Sequence, residues 1–265
     1  MAKLSGGLQF TGSISGMSAY RMKGSDEIIF RTKGGGSKSM IKRSPSCLLT
    51  RQNGTEFSGC GKAAGSIRMA IQPVLRLSDY NFTGTLTALS KSIQLFDKKH
   101  LRGQRAICFS EHRYLLEGFQ LNKTHQFDSI IRHPLQCEVM RNSRKAVVQL
   151  PDLLPRLNLF IPWQYPLYRF VFSLGVVKDT IYSKAGYPTH SNPDGYWPVS
   201  VETNWHPVQE VLTGKTYTLQ LAEKKALEDN QSLVLAVGIQ MGIPTSNNFT
   251  APVAKKGSAR IIMVR

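Results

Sequence analysis

The chain has 265 residues, enough for one large or two small domains, and it is 41% apolar and 19% charged. Its 34 Lys and Arg against 17 Asp and Glu give a formal net charge of +17, which points to contact with a polyanion or serves solubility alone. The most apolar window, Asn158 to Val177, is interrupted by Pro162, Pro166 and Arg169, which excludes a membrane helix there.

The first 72 residues hold eleven cations and three acids. They are also rich in Gly and Ser, as in Ser5-Gly6-Gly7, Gly24-Ser25 and Gly34-Gly35-Gly36-Ser37. Such a composition does not bury enough apolar surface to fold by itself. Residues 1–43 are therefore expected to form a basic extended arm, ordered by the body of the protein, a neighbouring copy or nucleic acid. Within it, residues 8–33 read as an extended hairpin. Ser18 to Met22 alternates, Lys23-Gly24-Ser25-Asp26 supplies turn chemistry, and Glu27 to Thr32 returns as a strand. Gly34 to Ser37 reads as a hinge.

Residues 44–104 read as a helical segment. Ser44-Pro45 has the pattern of an N-cap followed by proline at the first helical position. Phe57, Cys60, Ala64, Ile67, Ile71 and Val74 then recur at helical spacing, predicting one buried face that ends near Leu75. Gly54, Gly61 and Gly65 weaken that helix. Either another backbone approaches closely there, or the glycines break it into two short helices. Leu86, Leu89, Ile93 and Phe96 mark a second helix, followed by the densest basic cluster, Lys98, Lys99, Arg102 and Arg105.

Residues 105–265 read as strands. The candidates are Arg105–Phe109, Ala146–Leu150, Leu167–Val177, Val199–Trp205, Thr216–Leu221, Ser232–Met241 and Ala259–Val264. Turn residues between them predict an antiparallel β-sandwich, with the apolar run Ser232–Met241 as a central strand. Ser183 to Pro198 is a loop carrying Tyr187, His190, Asn192, Asp194, Tyr196 and Trp197. It either makes contacts or caps an open end of the sandwich. The fold class is thus α+β.

The order Phe10-Thr11-Gly12-Ser13, Ser18-Ala19-Tyr20, Gly24-Ser25-Asp26, Arg31-Thr32-Lys33-Gly34-Gly35, then Ile41-Lys42, Ser44-Pro45, Thr50-Arg51 and Glu56-Phe57, resembles a family of uncharacterised cytoplasmic proteins from Bacteroidota. Leu235-Ala236-Val237-Gly238-Ile239 and Gly257-Ser258-Ala259-Arg260-Ile261 are similar to its closing strands. The resemblance implies a basic Gly-rich arm followed by a β-sandwich body, and it brings no activity with it.

No motif specifies a catalytic centre. Gln209 stands where a Walker A loop needs its first glycine before Gly214-Lys215-Thr216, and a strand follows instead of a helix. Gly59-Cys60-Gly61 to Gly65 lies within a helix and has its last glycine one residue late for a dinucleotide fingerprint. The six histidines form no metal-like cluster with cysteine. Glu111-His112, and Asp194 near His190, are compatible with acid–base work but specify none. Cys47, Cys60, Cys108 and Cys137 lack zinc or Cys-x-x-Cys spacing, and the opening residues lack a signal-peptide core. A reduced, cytoplasmic protein with free thiols and no cofactor is expected.

Two functions fit these residues. The first is a non-enzymatic structural protein that self-assembles into a filament or closed homo-oligomer through its N-terminal arm. Its interface candidates are Tyr20, Ile28, Phe30 and Arg31, with Tyr187, Tyr196 and Trp197 on the loop. The second is sequence-nonspecific binding of DNA or RNA. Its candidates are Arg21, Lys23, Arg31, Lys33, Lys42, Arg43, Lys98, Lys99, Arg102 and Arg105, with Tyr20 and Phe30 available for stacking.

Overall fold

The computed structural model describes residues 2–4, 10–189, 195–222, 226–246 and 249–265. The protein is a β-rich α+β chain whose sheets are antiparallel, and it divides into two compact units, residues 1–51 and 52–265. Among the described residues no helix is long and apolar enough to cross a membrane.

In the first unit the expected hairpin forms and gains a strand on each side. β1 (Ala2–Leu4), β2 (Gly12–Ile14), β3 (Met17–Arg21) and β4 (Ile28–Thr32) make one sheet in the order β1-β4-β3-β2. β3 and β4 pair Ala19 with Phe30 and Arg21 with Ile28, so the turn falls at Met22–Glu27 as its Gly and Asp content requires. Gly24 takes a φ of +87°, a conformation that favours glycine. A short helix, α1 (Lys38–Arg43), follows, with the Ser37 hydroxyl accepting from the Met40 N–H at 3.1 Å. Ser44 bonds the Ser46 hydroxyl rather than capping, and Pro45–Cys47 forms a 3₁₀ turn leading into α2 (Leu48–Ala70).

The glycines of α2 do not break it; the helix runs unbroken for 23 residues. Cys60, Ala64, Ile67, Ile71 and Val74 are buried as their spacing predicts. Phe57 is not, being 68% exposed, and Glu56 turns inward in its place. The residues Gln72–Leu77 continue as a 3₁₀ turn, and α3 (Thr83–Phe96) buries Leu86 and Ile93. A one-turn helix, α4 (Phe127–Ile130), precedes the remaining strands.

Two sheets carry the rest of this unit. β5 (Gln136–Met140), β6 (Lys145–Leu150) and β10 (Lys215–Gln220) form the smaller, in the order β10-β6-β5. β7 (Leu167–Lys178), β8 (Val199–Glu202), β11 (Gln231–Ser246) and β12 (Phe249–Val264) form the larger in the order β12-β11-β7-β8, and the short β9 (His206–Pro207) pairs with the start of β7. The run expected as a central strand is β11, buried at every residue from Gln231 to Gly242.

Side chains alternate along β7 and β11, so each strand supplies two cores. Val171, Val177, Val234 and Ala236 join Cys60, Ala64, Ile67, Leu86 and Ile93 from the helices. Phe170, Phe172, Leu174, Leu233, Leu235 and Val237 join Val148 and Leu150 of β6 and Leu219 of β10. Residues 52–104 are therefore one layer of the second unit, not a segment of their own, because their apolar face closes one side of the large sheet. Arg105–Phe109 forms no strand; Ile107 makes a single bridge to Thr180. β11 leaves β7 after Gly242 and continues with β12 as a two-stranded ribbon, pairing Ile243 with Ala251 and Pro244 with Thr250.

The close approaches fall at glycines other than those singled out in the sequence. A Cβ at Gly175 of β7 would collide with the backbone of Ala70, and one at Gly59 would collide with the Tyr187 ring, whereas Gly61 and Gly65 face open space. Gly59→Ala is expected to destabilise the protein by about 1–3 kcal/mol. Gly61→Ala is expected to stabilise it by about 0.5–1 kcal/mol. Urea midpoints of the two variants check this pair; shifts of the same sign would refute it.

Candidate functional site

The first unit presents the densest grouping of predicted residues. Among residues 10–51 only Ala19 and Ile28 are buried. The pairing places Ile14, Met17, Ala19, Ile28 and Phe30 on one face of the sheet, because residues opposed in register point the same way. Ile14 is 57% and Met17 39% exposed on that face. Phe10 packs edge-on against Phe30 with ring centroids 6.0 Å apart. On the opposite face the Arg31 guanidinium lies 5.3 Å from the centre of the Tyr20 ring, a cation–π contact. Arg21, Lys23, Arg31, Lys33, Lys42 and Arg43 are all exposed. Arg51 is engaged, donating to the carbonyls of Ile41 at 2.9 Å and Ser44 at 2.7 Å.

The second basic group stands on a loop built by Asp97. That carboxylate accepts from the backbone N–H groups of Lys99 at 2.8 Å, His100 at 3.2 Å and Ala106 at 2.6 Å, and it meets the His100 ring at 2.7 Å. Fixing both ends of the loop leaves Lys98, Lys99 and Arg102 in solvent. Arg102 donates to the Asn53 side chain at 2.9 Å. Arg105 does not belong to this surface. It is half-buried, and its guanidinium lies 3.7 Å from Glu56.

Glu56 and its partners were not legible as a unit in the sequence. The carboxylate is 1% exposed and accepts from the Lys91 ammonium at 2.5 Å and the Gly103 N–H at 2.8 Å. Burial pushes its pKa up, but Lys91, the Gly103 N–H and Arg105 outweigh burial and hold it below the ordinary value. Gln94 links Lys91 to Tyr187, and the Tyr187 hydroxyl donates to the Arg105 carbonyl at 2.7 Å. The one available signal was spacing: Glu56 continues the series Cys60, Ala63, Ile67 and Ala70 by one more helical step.

The same bonds correct the reading of the loop. Tyr187 and Tyr196 are core side chains, 4% and 3% exposed, which removes them from any interface; Trp197, 64% exposed, is the member of the trio that reaches solvent. Ile28 is likewise buried, at 3% exposed. His190, Asn192 and Asp194 lie outside the described residues. His112 packs on Phe96, with ring centroids 4.7 Å apart. Burial pushes the thiols of Cys60 and Cys137 up to about 11 and that of Cys108 to about 12, away from the thiolate form a nucleophile needs. Gly214 opens β10, its N–H bonded to Asp152 at 2.6 Å. No family model, curated protein or solved structure matches this chain.

Burial raises the Asp97 pKa, but the three N–H donors and His100 prevail and hold it at about 2, below its ordinary 3.8. Its contribution to stability is therefore complete above about pH 4 and is lost as the pH falls toward 2. Asp97→Asn is expected to lower stability at neutral pH by about 1–3 kcal/mol and to flatten part of the acid decline. Urea midpoints measured across that pH range provide the test, and parallel curves for the two proteins would remove Asp97 from this role.

Proposed function

We propose that this protein is a non-enzymatic structural protein that assembles with copies of itself, into a filament or closed oligomer, through its N-terminal unit. The supporting observation is the near absence of a core there: a four-stranded sheet in which Ala19 and Ile28 alone are buried among residues 10–51. A sheet needs one covered face to be stable in water. Here Ile14 and Met17 leave apolar surface on the face that also carries Phe30. β1 and β2 are edge strands, and β2 is exposed throughout. An open edge beside a partly exposed apolar face would accept a second copy by strand addition, with main-chain bonds giving affinity and the apolar face giving register.

Light scattering on the full chain, after nuclease and high-salt treatment, tests this directly. The wild type is expected to be larger than a monomer. Ile14→Glu with Met17→Glu is expected to be a monomer with an unchanged circular dichroism spectrum. A wild type that stays monomeric as its concentration is raised would refute the proposal.

A second reading, sequence-nonspecific binding of nucleic acid, is favoured by charge. Arg21, Lys23, Arg31, Lys33, Lys38, Lys42 and Arg43 are exposed in the first unit, where Asp26 and Glu27 are the described acids. A copy bearing +17 repels its neighbours, and a polyanion would relieve that repulsion. Changing Lys23, Arg31 and Lys33 to Gln is expected to reduce the salt dependence of DNA binding by a slope of about 0.9 per lost phosphate contact. An unchanged slope would exclude this surface as the binding site.

A further inference from the structure

The second unit holds a cleft of about 700 Å³, within the size range of ligand sites, whose lining among the described residues includes aromatic and cationic side chains and no Asp or Glu. Its cations among the described residues are Arg132 and Arg156, both exposed. Neither makes an ion pair with any described carboxylate, whereas Arg76, Lys91, Arg105, Arg169, Lys178, Arg260 and Arg265 of this unit do.

The walls are positioned by backbone pairing. Ile131 and Leu159 form an antiparallel bridge; Arg132 N–H donates to the Asn158 carbonyl at 2.9 Å, and Phe160 N–H to that of Ile130 at 2.8 Å. This sets the Arg132 guanidinium 3.8 Å from the centre of the Phe160 ring. Its Nε–H donates to the Ser129 carbonyl at 3.4 Å, and stacking holds the planar group in place while leaving its terminal N–H groups to bind an anion. Arg156 has a φ of +65°, a left-handed backbone that side chains rarely adopt. It is held there by its N–H bond to the Leu159 carbonyl at 2.9 Å and by Asn158, which accepts from Leu154 N–H at 2.7 Å and donates to the Asp152 carbonyl at 2.9 Å. Trp163, whose ring meets His125 edge-on at 5.3 Å, and Tyr165 supply further aromatic surface.

We infer that this cleft binds single-stranded nucleic acid, taking a phosphate on Arg132 and Arg156 and an unpaired base on the Trp163 and Tyr165 side. Guanidinium pairs match phosphate geometry, base–aromatic stacking tolerates any sequence, and the +17 charge of the chain attracts the polymer. This site extends the second reading above to the other unit and uses none of the N-terminal cations.

The test uses the full chain and a short fluorescein-labelled oligothymidine, followed by anisotropy and by tryptophan emission. Binding is expected to quench emission, and Trp163→Phe is expected to remove most of that quench. Arg132→Gln and Arg156→Gln are each expected to weaken binding about tenfold. The double variant is expected to make the salt slope shallower by about 0.7, the value for one lost phosphate contact on a single strand. Folding of each variant is checked by circular dichroism. If the N-terminal Lys23, Arg31 and Lys33 variant loses binding while the arginine variants bind as wild type, the cleft is not the site and the N-terminal reading stands alone. Tighter binding of duplex than of single strand, or an unquenched Trp163, would also overturn the inference.

Discussion

The second unit depends on one constraint: β11 must be covered on both faces. Every side chain from Gln231 to Gly242 is buried, so neither the helices nor the smaller sheet is optional. Leu233, Leu235 and Val237 require the smaller sheet, and Val234 and Ala236 require α2 and α3. The alternation of a strand thus dictates three layers, and glycines at the tightest points let them close. Gly175 admits the end of α2, and Gly238 and Gly257 admit Leu77.

Charge is divided along the same lines. Many of the acids are engaged in holding the structure together. Glu56 closes on Lys91 and Gly103, Asp97 organises its loop, and Asp79 accepts from the N–H groups of Lys123 and Thr124. Glu117, Asp128, Glu202 and Glu228 pair with Arg or Lys. Cations outnumber acids two to one in the sequence, so this pairing leaves a surface whose excess is positive. The basic character of the chain therefore lies at its surface.

Elements with a strong repeating pattern were legible in the sequence. The apolar run of β11, the alternation of β3, the β-forming residues of β4 and the 3–4 spacing of α2 and α3 were each such a pattern. β5 was not, because Gln136 and Glu138 interrupt its apolar content at the sheet's edge. The inward turn of Glu56 was hidden because its partners, Lys91, Gly103 and Arg105, are distant in sequence. Tyr187 reads as a contact residue by composition, yet the missing side chain at Gly59 makes room for its ring in the interior. The cleft residues gave no motif, since Arg132 and Phe160 meet only through the bridge between Ile131 and Leu159.

The ribbon beyond Gly242 gives β11 two different lives. From Val234 to Gln240 it pairs with a neighbour on each side and faces two cores, which protects its amides from exchange with solvent. From Ile243 to Ser246 the same strand has one neighbour and side chains in water, and an isolated two-stranded ribbon is marginal by itself. Its opening is local. One continuous strand therefore spans slow and fast exchange, and a protease that finds the folded protein would be drawn to Ile243–Ser246 long before the sheet behind them yields.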